Sequence, residues 1–229
     1  MGGRIRIVGT SHISRESIRS IRCEISEKKP EIVAVELDVQ RLPGLFIKRR
    51  RIKLRDIRRL GLTAFVFNLI GGFIQQKLGE AVGIAPGSDI KSAILAAKKV
   101  RAKIFLIDQD VRLTLQRFSV VMRPVEKLKF VLYLVFSVLL APFGFLARKK
   151  VQIDLAKVPE QRLIDQLTGE LKKKFPVIYQ ILVEERDACM AANIKFLAKK
   201  FPESNLFVVV GAGHVRGIKR ILKKKHVVE

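Results

Sequence analysis

The chain has 229 residues, 48% hydrophobic and 29% charged, a balance that excludes intrinsic disorder and allows one sizeable core. Its 45 lysines and arginines against 21 acids give a formal charge of +24, which points to an anionic partner, either nucleic acid or the anionic face of a membrane. The two cysteines, Cys23 and Cys189, have no Cys-x-x-Cys spacing; this excludes a disulfide scaffold and a cysteine zinc site, and both are expected to be small buried apolar residues in a reducing compartment.

The N-terminus runs almost directly into an apolar, β-branched run, Ile5–Val8, which leaves no room for a signal peptide and predicts a site facing the cytoplasm. That run ends in Gly9-Thr-Ser-His12, and Ser14 is placed to cap a helix whose Ile18, Ile21 and Ile25 share one face. A second strand, Ile32–Val35, ends in Glu36-Leu-Asp38. Arg41–Arg59 then carries nine basic residues and one acid, and 17 uncharged residues follow, Leu60–Gln76. A helix from about Ser88 to Arg101 leads into a third strand, Ile104–Ile107, which ends in Asp108-Gln-Asp110. A second uncharged stretch, Phe130–Ala147, is 18 residues long and closes on Arg148-Lys-Lys150. A long helix, Val177 to Lys200, precedes the fourth strand, Leu206–Val210, which ends in Gly211-Ala-Gly-His214.

Strands that alternate with helices predict an α/β fold. The sheet is expected to be central and mainly parallel, because nearly all-apolar strands are those covered on both faces. Flanking helices and a helical, apolar and basic insertion complete a single domain over 1–229, with the insertions at about 42–86 and 111–156.

The residues that follow the strands carry the functional reading. In open α/β sheets ligands bind beyond the carboxyl ends of the strands. Here those positions hold two histidines, a glutamate and several aspartates. Each alone is as well explained as a helix cap; their repetition at four strand ends predicts one polar site. Gly9, Gly211 and Gly213 are expected to supply tight turns with positive φ and to let backbone N–H groups approach a ligand. Gly-Ala-Gly-His lacks the third glycine of a dinucleotide fingerprint, and no Gly-Lys-Ser/Thr occurs, so nucleotide binding is not expected. On the long helix, Ile178, Ile181, Leu182, Ala188, Cys189, Ala192 and Phe196 form an apolar face that contains Glu185. A carboxylate on such a face needs either a metal or a partner such as Arg186.

These segments resemble the TraB family, which includes PrgY and the Tiki proteins. The resemblance rests on Gly9-Thr-Ser-His12 with Ser14, on Val35-Glu36-Leu-Asp38 with Arg41, and on Pro86-Gly-Ser-Asp89. It continues through Leu106-Ile-Asp108-Gln-Asp110 with Thr114, Leu115 and Arg117, Leu182-Val-Glu-Glu-Arg-Asp187 with Met190, and Val210-Gly-Ala-Gly-His214-Val-Arg-Gly-Ile218. It implies a hydrolase fold related to erythromycin-esterase and ChaN-like proteins, with His12, Glu36 and His214 as active-site residues and ligands of a divalent metal ion (zinc, manganese or cobalt). Arg41, Glu185 and Arg186 join them as further candidates. The resemblance also implies a peptide substrate, since Tiki proteins are described as metalloproteases and TraB and PrgY are linked to pheromone shutdown. Asp89 and Gln109 stand where the family pattern suggests Glu and Arg.

An uncharged run of 18 residues is at the lower edge for spanning a bilayer, and Pro142 and Gly144 favour a kink within it. A single span would also divide the domain between two compartments. The apolar stretches are therefore expected either to bury against the sheet or a second subunit, as in a dimer, or to form an interfacial platform on an anionic membrane. The tail Arg216–Lys225, with six basic residues and no acid, suits the same surface. Nucleic acid is the weakest partner, since there is no Trp and no recognition motif. Three functions follow: a metal-dependent peptidase near a membrane, a metal-independent esterase-like hydrolase, and a non-catalytic module that sequesters a peptide.

Overall fold

A computed structural model describes residues 3–10, 15–46, 87–130, 132–133 and 160–223. The four predicted strands form as β1 (Ile5–Thr10), β2 (Ile32–Val35), β3 (Lys103–Leu106) and β4 (Leu206–Gly211). All pair in parallel, in the order β1-β4-β2-β3. The first and last strands are thus neighbours, with Gly9 opposite Val210 and Thr10 opposite Gly211. Gly9 and Gly211, the first residues of the two Gly-x-x-His segments, therefore lie on neighbouring strands.

Helices α1 (Arg15–Lys28) and α3 (Ser88–Lys99) cover one face, and α7 (Glu185–Lys200) and α8 (Ala212–Lys223) the other. Between them lie the short α2 (Leu42–Phe46), α4 (Val111–Val121), α5 (Glu160–Lys174) and α6 (Pro176–Tyr179). Alternate strand residues feed the two layers. Val33, Val35, Phe207 and Val209 pack on Ile21, Ile25, Ala93, Ile94 and Ala97, whereas Ile32, Ala34, Val208 and Val210 pack on Met190, Ala191, Ile194 and Ile218. Full burial of each Val, Ile, Phe or Met among them is worth about 1.5–3 kcal/mol, so the two middle strands carry most of the sheet's stability. β4 and β2 are buried throughout, as a doubly covered parallel strand should be. β1 departs from that expectation: it lies at an edge, and Ile5 is 45% exposed. Cys23 is likewise exposed rather than buried, and Cys189 is half-buried.

The long helix departs from its predicted pattern. It runs α6, then a π-helical turn at Gln180–Glu184, then α7. Ile178, before the π turn, and Ile181, within it, pack with Phe118, Met122 and Phe130 in a small satellite cluster. After it, Met190, Ala191, Ile194 and Leu197 face the sheet, while Ala188 and Phe196 are exposed. A π turn holds more residues than an α turn, so no single α-helical stripe runs through both halves.

No helix among the described residues is long and apolar enough to cross a membrane. Leu60–Gln76, nearly all of Phe130–Ala147, and His12 and Ser14 lie outside the described residues.

Candidate functional site at the carboxyl ends of the strands

Glu36 directly follows β2, and its backbone N–H donates to the Val209 carbonyl at 2.9 Å, which continues the ladder into the site. Its side chain reaches across to β4, where Oε2 accepts the Gly211 N–H at 2.5 Å. Gly211 ends β4 immediately before α8, so the carboxylate sits where the positive end of the helix dipole favours it. Glu36 Oε1 accepts from Arg186 Nη2. The same guanidinium holds Asp108, with Nε donating to Oδ1 at 3.0 Å and Nη2 to Oδ2 at 2.6 Å. Its Nη1 donates to the Leu182 carbonyl at 3.3 Å, inside the π turn. Arg186 thus ties β2, the end of β3 and the long helix together.

Arg41 extends the network, bridging Asp38 and Asp108. Asp38 also accepts from the backbone N–H groups of Gln40 and Arg41 at 2.8 and 3.2 Å, an Asx-type turn that leads into α2. Burial opposes ionisation of Asp108, but the hydrogen bonds and charges of Arg186 and Arg41 outweigh it and hold its carboxyl below the usual range. Burial would also lower Arg186; Glu36 and Asp108 outweigh that and keep the guanidinium charged.

His214, on the first turn of α8, is buried. Its Nδ1 lies 2.6 Å from Asp187 Oδ1, and its Nε2 lies 3.5 Å from Glu36 Oε1. Asp187 is only 3% exposed, and burial pushes its carboxyl up. Further along the sheet end, the Thr10 hydroxyl donates to the fully buried Asp89. Asp89 is therefore an interior carboxylate. Gln109 donates from Nε2 to Thr114 Oγ1 at 3.1 Å and braces the turn that enters α4.

The structure thus brings Glu36, Arg41, Arg186 and His214 together. Glu185 stands apart: it receives Arg117 at 2.7 and 3.1 Å, while Arg186 turns to Glu36 and Asp108. The expected positive φ of the glycines is not found at Gly9 or Gly211, which are strand residues, or at Gly213, which is helical; among the described glycines it occurs at Gly87, φ 80°. Gly9 is needed for close approach instead, since a Cβ there would meet Val215 Cγ2 at 2.8 Å. Asp38, Asp108 and Asp187 were legible only as members of their motifs, and nothing in the sequence singled out Gly217.

Among the described residues of this cluster four carboxylates (Glu36, Asp38, Asp108, Asp187) face two guanidiniums (Arg41, Arg186), leaving two negative charges in excess when His214 is neutral and all four acids are ionised. A net negative pocket within a +24 chain is an environment for a cation or an imidazolium. The 3.5 Å between His214 Nε2 and Glu36 Oε1 suits adjacent ligands of one small ion, whose bonds are about 2.0–2.2 Å. Against this, Arg186 already shares Glu36 Oε1. Among the described residues no three His, Cys, Asp or Glu converge as a metal site, and His12 lies outside them. Of the three expected ligands, Glu36 and His214 are among the described residues and stand 3.5 Å apart.

A doubly covered parallel sheet with polar groups gathered at its carboxyl ends defines the chain as an α/β protein of the strand-end-site class. The TraB/PrgY/gumN family model matches residues 2–226, and the chain belongs to that family. An uncharacterized protein of Methanocaldococcus jannaschii is 37% identical over 222 residues, covering 96% of this chain and 53% of that protein. TraB domain-containing proteins of Mus musculus and Homo sapiens are 26% and 25% identical over 244 residues, covering 96% of this chain and 62% of each. The chain therefore spans a little over half the length of these relatives.

Proposed function

We propose that the chain is a hydrolase of peptide or related acyl bonds, in which His214 is the proton-transfer group and Glu36, with His12, completes the reacting site. The observation that carries this reading is the line Asp187–His214–Glu36, which joins α7, α8 and the end of β2 in a buried, water-poor setting. His214 Nε2 takes the proton of an attacking water and returns it to the leaving amine as the C–N bond breaks. Arg41 is 39% exposed and offers its outer edge to a developing oxyanion, whereas Arg186 is committed to Glu36, Asp108 and Leu182. A divalent ion on His12, Glu36 and His214 would occupy the Nε2 lone pair, and would then polarise the carbonyl and lower the pKa of water in place of proton transfer by His214. The basic flanks and tail would bring such an enzyme to an anionic membrane surface.

A second reading keeps these residues and drops the ion. It is favoured by Glu36, both of whose oxygens already accept, from Arg186 and Gly211. One experiment serves both: cleavage of a peptide library read by mass spectrometry, with and without chelator and metal add-back. His214→Ala and His12→Ala should each lose roughly 10²–10⁴-fold in rate. Chelator-sensitive cleavage restored by zinc, manganese or cobalt supports the ion, and chelator-resistant cleavage supports the second reading. Wild-type rates in both histidine variants would end the proposal, and peptide binding without cleavage would favour a sequestering module.

A further inference from the structure

Two positions one turn apart on α8 converge on the same carboxylate. At position 214 the imidazole Nδ1 meets Asp187 Oδ1 at 2.6 Å. At position 217 a Cβ would lie 1.7 Å from Asp187 Oδ2 and 2.7 Å from its Cγ, so the second oxygen fills the space a side chain would take. Residues i and i+3 lie on one face of a helix, so ring and gap are stacked against α7. Glycine in a helix interior is destabilising relative to alanine, and here the missing side chain admits the carboxylate.

We propose that Asp187 is the positioning residue of His214, holding the ring proton on Nδ1 and leaving Nε2 unprotonated toward Glu36, and that Gly217 is the slot that admits it. The inference rests on reading His214 as the reacting group. An ionised carboxylate only accepts hydrogen bonds, so the nitrogen it faces carries the hydrogen. The other nitrogen then presents a lone pair to Glu36 Oε1, itself an acceptor, 3.5 Å away. Two acceptors that face each other leave room for a proton donor or a cation and for little else. Asp187 itself is held between His214 and the α8 backbone at Gly217.

The test is imidazole ¹⁵N NMR on the full ¹⁵N-labelled chain, at a pH where the rings are neutral. The chain has three histidines, and His214→Gln assigns the relevant signals by their loss. In the wild type His214 should be the Nδ1–H tautomer. Asp187→Asn should shift it toward Nε2–H or a mixture, and Gly217→Ala should do the same by displacing the carboxylate without removing any polar group. In the peptide assay both variants should lose about 10–100-fold in kcat with little change in KM. A wild-type Nε2–H tautomer overturns the inference without recourse to any variant, as does an unchanged tautomer in a folded Asp187→Asn protein. If the tautomers behave as stated but the wild type cleaves no peptide, the positioning role stands and the hydrolase reading falls.

Discussion

At the carboxyl end of the sheet Glu36, Asp38, Asp108, Asp187 and His214 are buried, and their partners come from segments far apart in the chain. At the amino end the polar residues are exposed and mostly hold backbone. Asn205 Oδ1 accepts the Arg4 N–H at 3.3 Å, and Glu31 Oε2 accepts the Asn205 N–H at 2.7 Å. Similar residue types thus do different work. Where water competes, a charged side chain tidies a turn; where it is excluded, removal of one partner strands the others. The energetic asymmetry sets the carboxyl end apart independently of any motif.

Four substitutions would break or sharpen this contrast. Arg186→Ala should have the largest effect, because it leaves Glu36 and Asp108 buried without their shared cation. A loss of about 3–5 kcal/mol is expected in denaturant or thermal unfolding. Next is the acid response of Asp108. Its carboxyl is held below the ordinary range, so its stabilising contribution is present above about pH 4 and is lost as pH falls through the depressed folded-state value. The stability gap between wild type and Asp108→Asn should therefore narrow in unfolding curves taken progressively below pH 4. At the amino end, Glu31→Gln should cost less than about 1 kcal/mol, since the side chain is solvated and an amide oxygen can still accept from Asn205. Arg117→Ala, which removes only the exposed partner of Glu185, should leave the melting temperature essentially unchanged. A large loss there would mean that Glu185 belongs to the buried network after all.

The strands and their polar ends were legible because a strand covered on both faces must be apolar throughout, and whatever follows it must turn. Glu36 and His214 could be found that way. The edge position of β1 could not, since strand order in a parallel sheet depends on where the crossovers go. The partner of Glu185 was also hidden: Arg117 lies 68 positions away, and the choice between it and Arg186 depends on how the long helix is rotated. That rotation was read from an unbroken α-helical period, and the π turn at Gln180–Glu184 invalidates the period. Asp187 was missed for the same reason, because an uninterrupted helix puts its side chain off the apolar face.

The π turn has a consequence for what this site can tolerate. Its contribution to the geometry is a number of residues rather than any one side chain. Apart from Leu182, which lends only its backbone carbonyl, Gln180–Glu184 supplies no group to Glu36, Asp108 or His214. Deleting one residue there would restore an α-helix and swing Arg186 and Asp187 together by about 100° relative to the preceding turn. Both the cation that binds two strand ends and the carboxylate that seats the histidine would be misaimed in a single event. Apart from Ile181, which is buried in the satellite cluster, exchanges of side chain within the segment would be absorbed at the site, while a change of length would not. The spacing between the satellite cluster and the sheet-facing helix is in this sense a ruler built into the chain, read out at the opposite end of an arginine.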